Sequence, residues 1–318
     1  MTNGAVALVF PGQGAQAPGM GASLVEAERE LSLLDCADAA GLDLRCLVAD
    51  GTAEQLRPTE VAQPALYYTG VALAQLFQEQ GLQPVCAGGH SVGEFCALVA
   101  AGALDPVTGM ELVLERGRLM AAAPRGSMAA VLGLEPEPLE RICQEVSETG
   151  QCCVIANYNC PGQSVISGTV EGVEMASARA RSGGARRVVA LNVAGAFHSP
   201  LMAEAAQQFA LSIDRAEIQA PRVPVVCGAE GRLVTTAAEV RSCLRMQLER
   251  PVQWTSSVRA MARAGVSLFV ECGPGNTIAS LIRRTLEVVE VVSVGSPEAV
   301  AELGPQLGTA GRSSPPEA

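Results

Sequence analysis

The 318 residues contain two histidines, and each sits in a short segment suited to chemistry. His90 lies within Gly89-His90-Ser91-Val92-Gly93, which has the G-x-S-x-G form of a nucleophile elbow. In that form a sharp strand-to-helix turn exposes the serine hydroxyl. His198 lies within Gly195-Ala196-Phe197-His198-Ser199. Serine is a weak nucleophile until a base takes its proton, and histidine is the usual base. His90 is adjacent to Ser91, so its side chain should leave the turn in another direction. That leaves His198 as the imidazole free to reach Ser91, and scarcity alone makes a covalent acyl-enzyme mechanism testable. A blander reading of His198 is a residue that caps or packs near a helix start. No aspartate stands out as a third triad member, so a backbone carbonyl is expected to accept the Nδ1–H of His198.

The elbow needs a strand before it and a helix after it, and the pattern provides both. Residues 4–10 form a short apolar run ending at Pro11, as a buried parallel strand reads, and 85–89 form a second run leading into the elbow. A helix should continue from Ser91 to about Ala101. The Val92 N–H would then donate to an oxyanion, with a second donor from the Gly-rich 12–16 loop, each contributing about 3–4 kcal/mol of barrier lowering. Helical patterns fill about 22–40, 62–80 and 106–122. Arg116 lies mid-helix beside Glu115 and Arg118, where a solvated or ion-paired surface arginine is the blind expectation.

Between 126 and 192 the rhythm becomes strand (Ser127–Gly133), helix (Pro136–Thr149), strand (Cys152–Ala156), strand (Gln163–Gly168), helix (Val170–Arg181) and strand (Arg186–Leu191). That βαββαβ order is the ferredoxin-like pattern. Pro124 and Gly126 at one end and Ala194-Gly195 at the other are candidate hinges. Helices near 199–212, 236–248 and 251–264 follow, with strands near 223–227 and 267–271. Cys272-Gly-Pro-Gly then turns into a further helix. The expected fold is α/β. Residues 1–125 and 193–303 form a large parallel-sheet, α/β-hydrolase-like body, and 126–192 form an inserted ferredoxin-like subdomain. A ligand would bind in the cleft between them, and 304–318 are expected to be a disordered tail.

Composition removes several classes. All 22 basic residues are arginine, so Schiff-base and pyridoxal-phosphate chemistry and a P-loop, which need lysine, are excluded. A net charge of −11 argues against nucleic-acid binding. No apolar run reaches the ~20 residues of a membrane span. The start reads as a buried strand rather than a signal peptide, so a cytoplasmic location is expected. The 11 cysteines show no paired C-x-x-C spacing and read as free thiols in a reducing compartment. With both histidines otherwise employed, no metal site is expected.

These residues carry a resemblance. The chain resembles the malonyl-CoA:acyl-carrier-protein transacylase family, the acyltransferases of fatty-acid and polyketide synthesis. The matching segments are Phe-Pro-Gly-Gln-Gly-Ala-Gln (10–16), Gln-Pro-Ala-Leu (63–66), Gly-His-Ser-Val-Gly-Glu-Phe (89–95) and Glu-Arg-Gly-Arg-Leu-Met (115–120). Further on come Ala-Asn-Tyr-Asn-Cys-Pro-Gly-Gln (156–163), Gly-Ala-Phe-His-Ser-Pro-Leu-Met (195–202) and Gln-Leu-Glu-Arg-Pro-Val-Gln-Trp (247–254). They occur in family order over about residues 4–295.

The resemblance implies that Ser91 is acylated and that His198 is the general base and acid. It implies an oxyanion site built from the N–H groups of Gln13 and Val92. Arg116 would pair with the substrate's free carboxylate, which overturns its blind reading, since a guanidinium grips a carboxylate through two parallel hydrogen bonds. Gln63 would lie beside the serine, His90 and Asn159 would belong to the substrate site, and the main chain at Gln247 would orient His198. Phe197 resembles malonyl-selective members, where a ring narrows the space beside a branched acyl group. One departure is Pro-Val-Gln-Trp, where arginine or lysine is more usual before the tryptophan, and it touches a peripheral contact. The implied partners are malonyl-CoA and an acyl carrier protein, with no bound cofactor, no nucleic acid and no membrane. The chain is expected to act as a monomer. Arg186 and Arg187 on the insert's edge would meet an acidic carrier. The rivals are a serine acyl hydrolase, a trans-acting polyketide-synthase acyltransferase and a non-catalytic scaffold.

Overall fold

The structure, a computed structural model, describes residues 5–27, 29–193 and 195–308. The chain opens with β1 (Ala5–Phe10), α1 (Ala22–Glu26), α2 (Leu31–Ala39), α3 (Leu44–Asp50) and α4 (Thr59–Glu79). Next come β2 (Cys86–Gly89), α5 (Gly93–Ala100) and α6 (Pro106–Ala122). The following stretch is β3 (Ser127–Leu132), α7 (Pro136–Ser147), β4 (Cys153–Cys160), β5 (Gln163–Gly168), α8 (Val170–Ser182) and β6 (Arg187–Ala190). After it come α9 (Ala203–Arg215), β7 (Val225–Cys227), β8 (Arg232–Val234), α10 (Ala237–Met246) and α11 (Trp254–Arg263). The chain then continues through β9 (Val266–Cys272), α12 (Thr277–Thr285), β10 (Glu290–Val294) and α13 (Pro297–Gly308).

The fold is mixed α/β with two separate sheets. Six strands run in the order β10-β9-β1-β2-β7-β8, parallel except for β8, which forms a hairpin with β7. A parallel strand covered on both faces must be apolar along its whole length, and β1 is buried from Val6 to Phe10. The second sheet is antiparallel, in the order β4-β5-β3-β6. It buries alternate residues such as Ala129 and Val131 under α7 and α8. Leu139, Cys143 and Val146 form the matching stripe on α7 at helical spacing. Thr169 caps α8 by accepting from Gly172 N–H.

Several expectations need correcting. The single helix over 22–40 is two helices, with Glu30 in the left-handed region at φ 48° between them. Leu24 anchors the first, while Leu33, Leu34 and Ala37 anchor the second. The α3 helix, β8, β10 and α13 lie where no element was expected. The tail does not begin at Gly304: α13 runs to Gly308, because Val300, Leu303 and Leu307 form one buried stripe. Residues 309–318 lie outside the described residues. Of the candidate hinges, Ala194 also lies outside them, and Gly195 pairs with Arg125 as an isolated antiparallel bridge. The two connections therefore run side by side.

The cysteines are not all free thiols. Cys227 on β7 and Cys243 on α10 form a disulfide with Cα atoms 5.7 Å apart, while the other nine are unpaired. Both halves are buried where strand and helix meet. Glu230 lies close to the same pair, the one metal-ligand cluster among the described residues, but the disulfide occupies its two sulfurs. No helix of the described residues is long and apolar enough to cross a membrane.

Candidate active site

The elbow forms where β2 meets α5. Ser91 has φ 53°, a left-handed conformation that side chains other than glycine rarely adopt. The flanking glycines are a steric need: a Cβ at Gly89 would overlap the backbone of Gly93, and one at Gly93 would strike the carbonyl of Phe10. His198 is held the same way, at φ 56°. Strain of about 1–3 kcal/mol at each position is tolerated because the surroundings over-determine it.

These two turns bring Ser91 Oγ within 2.9 Å of His198 Nε2. On the far side of the ring, Nδ1 lies 2.8 Å from the carbonyl oxygen of Gln247 and 3.1 Å from that of Arg250. Carbonyls only accept, so Nδ1 carries the proton and the Nε2 lone pair faces the serine. The expectation of a backbone carbonyl in place of an aspartate is met. Burial, then the nearby Arg116 charge and His90, push the His198 pKa down to about 3, against the pull of the two carbonyls. The ring is therefore a neutral base at ordinary pH.

Arg116 overturns the blind surface reading. It is fully buried on α6, while its neighbours Glu115 and Arg118 pair with each other outside at 2.7 Å. Nη2 donates to Ser91 Oγ at 3.0 Å, Nη1 to Gln63 Oε1 at 2.6 Å and Nε to Gln247 Oε1 at 3.0 Å. The guanidinium carbon lies 5.9 Å from the centre of the Phe95 ring. Burial lowers its pKa to about 9, opposed by the Glu94 carboxylate, so it remains a cation at neutral pH. Gln63 is buried beside it and also donates to Met120 Sδ at 3.3 Å.

Gln13 and Val92 sit where parallel pairing requires. Phe10 on β1 is in register with Gly89 on β2, so the loops after both strands leave the same sheet edge. Val92 is the N-cap of α5, and the first N–H groups of a helix lack intrahelical acceptors. Gln13 is tethered by its Nε2 to Thr59 Oγ1 at 3.1 Å. Together Gln13, His90, Ser91, Met120, Met128, Asn157, Leu191, Val193, Phe197 and His198 line a cavity of about 90 Å³. Gln13, Met120, Val193 and Phe197 also line a wider cleft of about 540 Å³, flanked by Arg57, Glu60 and Arg125. A narrow reaction chamber thus opens into a broader cleft.

His90 lines the chamber without touching Ser91. Its Nε2 lies 3.0 Å from Asn159 Oδ1, and its ring meets Trp254 edge-on with centroids 5.7 Å apart. Asn159 therefore reaches the chamber through His90, and the β4 residue that lines it is Asn157, which sequence reasoning missed. Glu94 and the side chain of Gln247 were missed as well. Gln247 Nε2 donates to Glu94 Oε2 at 2.7 Å and to the Ser91 carbonyl at 3.2 Å. Burial raises the Glu94 pKa to about 7, against hydrogen bonds from Gln247 and the Gly228 N–H. A signal existed: one carboxylate inside the apolar octet Gly-Glu-Phe-Cys-Ala-Leu-Val-Ala of α5 must find a partner to be buried. Gln253, the departure before Trp254, caps α11, and its N–H donates to the carbonyl of Gly228 at 2.8 Å, away from the chemistry.

Comparison with known proteins agrees with this geometry. A model of the acyl transferase domain matches residues 7–307. The malonyl CoA-acyl carrier protein transacylase of Bacillus subtilis is 39% identical over 300 residues, covering 93% of this chain and 95% of the relative. Its counterpart from Coxiella burnetii has a solved structure with a TM-score of 0.89 at 34% identity, covering 96% of this chain and 98% of that one. A type II PKS acyl-carrier protein in complex with its malonyl-transacylase gives a TM-score of 0.89 at 36% identity, covering 95% and 99%. A serine and a histidine brought together from 107 residues apart, in a match running almost end to end, have one reading: the chain belongs to the acyl transferase domain family.

Proposed function

We propose that the chain transfers a malonyl group from malonyl-CoA to the phosphopantetheine thiol of an acyl carrier protein, through a malonyl-serine intermediate, in fatty-acid or polyketide synthesis. One observation carries this reading. Ser91 Oγ touches a base on one side, His198 Nε2 at 2.9 Å, and a buried cation on the other, Arg116 Nη2 at 3.0 Å. A hydrolase of neutral acyl groups needs the base; a fully buried arginine beside the nucleophile suits an acyl group that carries its own carboxylate.

The cycle is ping-pong. As Ser91 Oγ bonds to the thioester carbon, its proton passes to His198 Nε2, and the Gln13 and Val92 N–H groups receive the oxyanion. The C–S bond breaks and the departing CoA sulfur takes the proton from His198. The carrier's thiol then gives its proton to His198 and attacks the malonyl ester, and Ser91 Oγ recovers the proton as it leaves. Arg116 takes the malonyl carboxylate, with Gln63 and Gln247 bracing the guanidinium. Phe197 narrows the chamber against branched acyl groups, with His90 forming part of its wall and Asn159 holding His90 from behind. The CoA thioester is substrate, and no bound cofactor or metal is needed for these steps.

The strand order β4-β5-β3-β6 supports reading residues 126–192 as a ferredoxin-like insert in an α/β-hydrolase-like body formed by 1–125 and 193–303. A cytoplasmic location suits the substrates. The test is intact mass after mixing with malonyl-CoA and then with pantetheine. A malonyl-sized gain on Ser91, removed by the thiol faster than by water, is the expected result. Loss to water at the same rate would make the chain a hydrolase, and no adduct would leave only a scaffold.

Two further outcomes are expected. Because His198 stays neutral down to about pH 3, it should itself add no acid limb to kcat/KM for malonyl-CoA between pH 8 and 5; a limb near 6.5 that persists in Glu94→Gln, where the carboxyl that titrates at about 7 is gone, would show an ordinary imidazole. Stability has the matching sign. Below pH 6.5 the unfolded chain binds a proton that the folded His198 refuses, so stability falls as pH drops toward about 3. Second, Arg186 and Arg187 are exposed at the start of the edge strand β6, where they would offset repulsion between an acidic carrier and a chain of net charge −11. Reversing both charges should raise KM for the carrier protein and leave that for malonyl-CoA unaltered; an equal rise in both would place docking elsewhere.

A further inference from the structure

The side chain of Gln247 joins the three working parts of the site. Its Oε1 accepts from Arg116 Nε at 3.0 Å, while Nε2 donates to the Ser91 carbonyl at 3.2 Å and to Glu94 Oε2 at 2.7 Å. Its main-chain oxygen holds His198 Nδ1. Both amide hydrogens and the amide oxygen are engaged, in a position that is itself buried. A primary amide can present either end to a neighbour. Here a flip would face an NH2 toward the Nε–H of Arg116 and an oxygen toward both the Ser91 carbonyl and the Glu94 carboxylate, three repulsions at once. The buried Glu94, with its shorter bond of 2.7 Å against 3.2 Å for the Ser91 carbonyl, is thus the closer of the two acceptors that specify which end of Gln247 meets Arg116, and it does not line the chamber.

Arg116 presents Nη2 to Ser91 Oγ with its Nε edge occupied by Gln247 and its Nη1 by Gln63. We propose that Glu94 is a positioning residue for acyl-group selection: by accepting from the Gln247 amide it fixes that amide's orientation, and so aims the terminal nitrogens of Arg116 at the chamber without touching substrate. This rests on the reading that Arg116 receives the acyl carboxylate. Glu94 therefore governs the preference for a carboxylated acyl group more than the serine–histidine chemistry itself.

The test compares single-turnover acylation of Ser91 by malonyl-CoA and acetyl-CoA in the full chain. The variants are Glu94→Leu, Glu94→Asp and Glu94→Gln. Leucine removes the acceptor, and aspartate withdraws it by one methylene while keeping the charge. Both should lower the malonyl-to-acetyl rate ratio about tenfold, the size of one misplaced charge-assisted hydrogen bond, with acetyl transfer falling less. Glutamine, whose amide oxygen can accept the same bond, should restore most of the ratio. Should the leucine variant not fold, the aspartate variant decides. A wild-type ratio in Glu94→Asp, a parallel fall with both donors, or a loss in Glu94→Gln as large as in Glu94→Asp would each overturn the role. A wild-type chain with no malonyl preference would overturn the underlying role of Arg116; a preference that survives Glu94→Asp would overturn that of Glu94 alone.

Discussion

His198→Ala should slow acylation of Ser91 by malonyl-CoA by about 10³–10⁴-fold, measured as the rate of malonyl adduct formation at pH 7.5. Among the described residues, the ring is the hydrogen-bond partner of Ser91 Oγ that accepts a proton, since the other contact, Arg116 Nη2, can only donate. Without it the hydroxyl must lose its proton to water. His90, the other imidazole, cannot substitute, because it is engaged with Asn159 and packs edge-on against Trp254. Binding should change little if Arg116 holds the acyl carboxylate as proposed. The expected signature is therefore a fall in rate at saturating donor with nearly constant KM. A variant within tenfold of wild type would mean that some other group removes the proton.

Arg116→Ala should reduce the malonyl-to-acetyl preference by about 10²–10⁴-fold, the equivalent of the roughly 3–5 kcal/mol lost when a buried charge is left without its partner. In the variant, the malonyl carboxylate would enter a closed site without a counter-charge, whereas acetyl-CoA carries no such group. Gln63 Oε1 and Gln247 Oε1 would both lose their donor, so the melting temperature should fall as well. Acylation rates with the two donors separate the effects: lost stability alone scales both rates equally, and lost recognition changes their ratio. An unchanged ratio would remove Arg116 from substrate binding.

Much of this architecture was legible because local and global signals agree. The apolar run of β1, the elbow glycines and the βαββαβ rhythm each reflect a constraint that acts along the chain. Strands buried on both faces show no polar alternation, and a serine turn this tight leaves no room for a Cβ two residues before or after it. The misses have physical causes as well. Helix α13 is secured by packing onto the distant α4 and strand β10 by pairing with β9, so their short apolar stripes gained meaning only in the folded chain. Arg116 is the clearest case. Its sequence neighbours, Glu115 and Arg118, make a surface pair, and helical spacing alone does not say which face of α6 turns inward. Family resemblance supplied the answer, and burial gives the reason: three acceptors from separate elements, Ser91, Gln63 and Gln247, converge on one guanidinium. Glu94 and the Gln247 amide escaped notice because their significance is mutual. Glu94 stands out as a carboxylate in an apolar helix, but the sequence does not say that Gln247, 153 residues away, is its partner.

The left-handed backbone at Ser91 sets selection for heat resistance against selection for turnover. Glycine accepts that conformation freely, whereas any residue with a Cβ gives up about 1–2 kcal/mol to hold it. Comparing the melting of Ser91→Gly with Ser91→Ala isolates this cost, since both lack the hydroxyl and only alanine keeps the Cβ; the glycine form should melt a few degrees higher, and equal melting would mean the turn is unstrained. A lineage screened only for surviving a warm environment would drift toward glycine at this site and fall silent. The serine is kept there by what its hydroxyl does, not because the backbone favours a side chain in that turn.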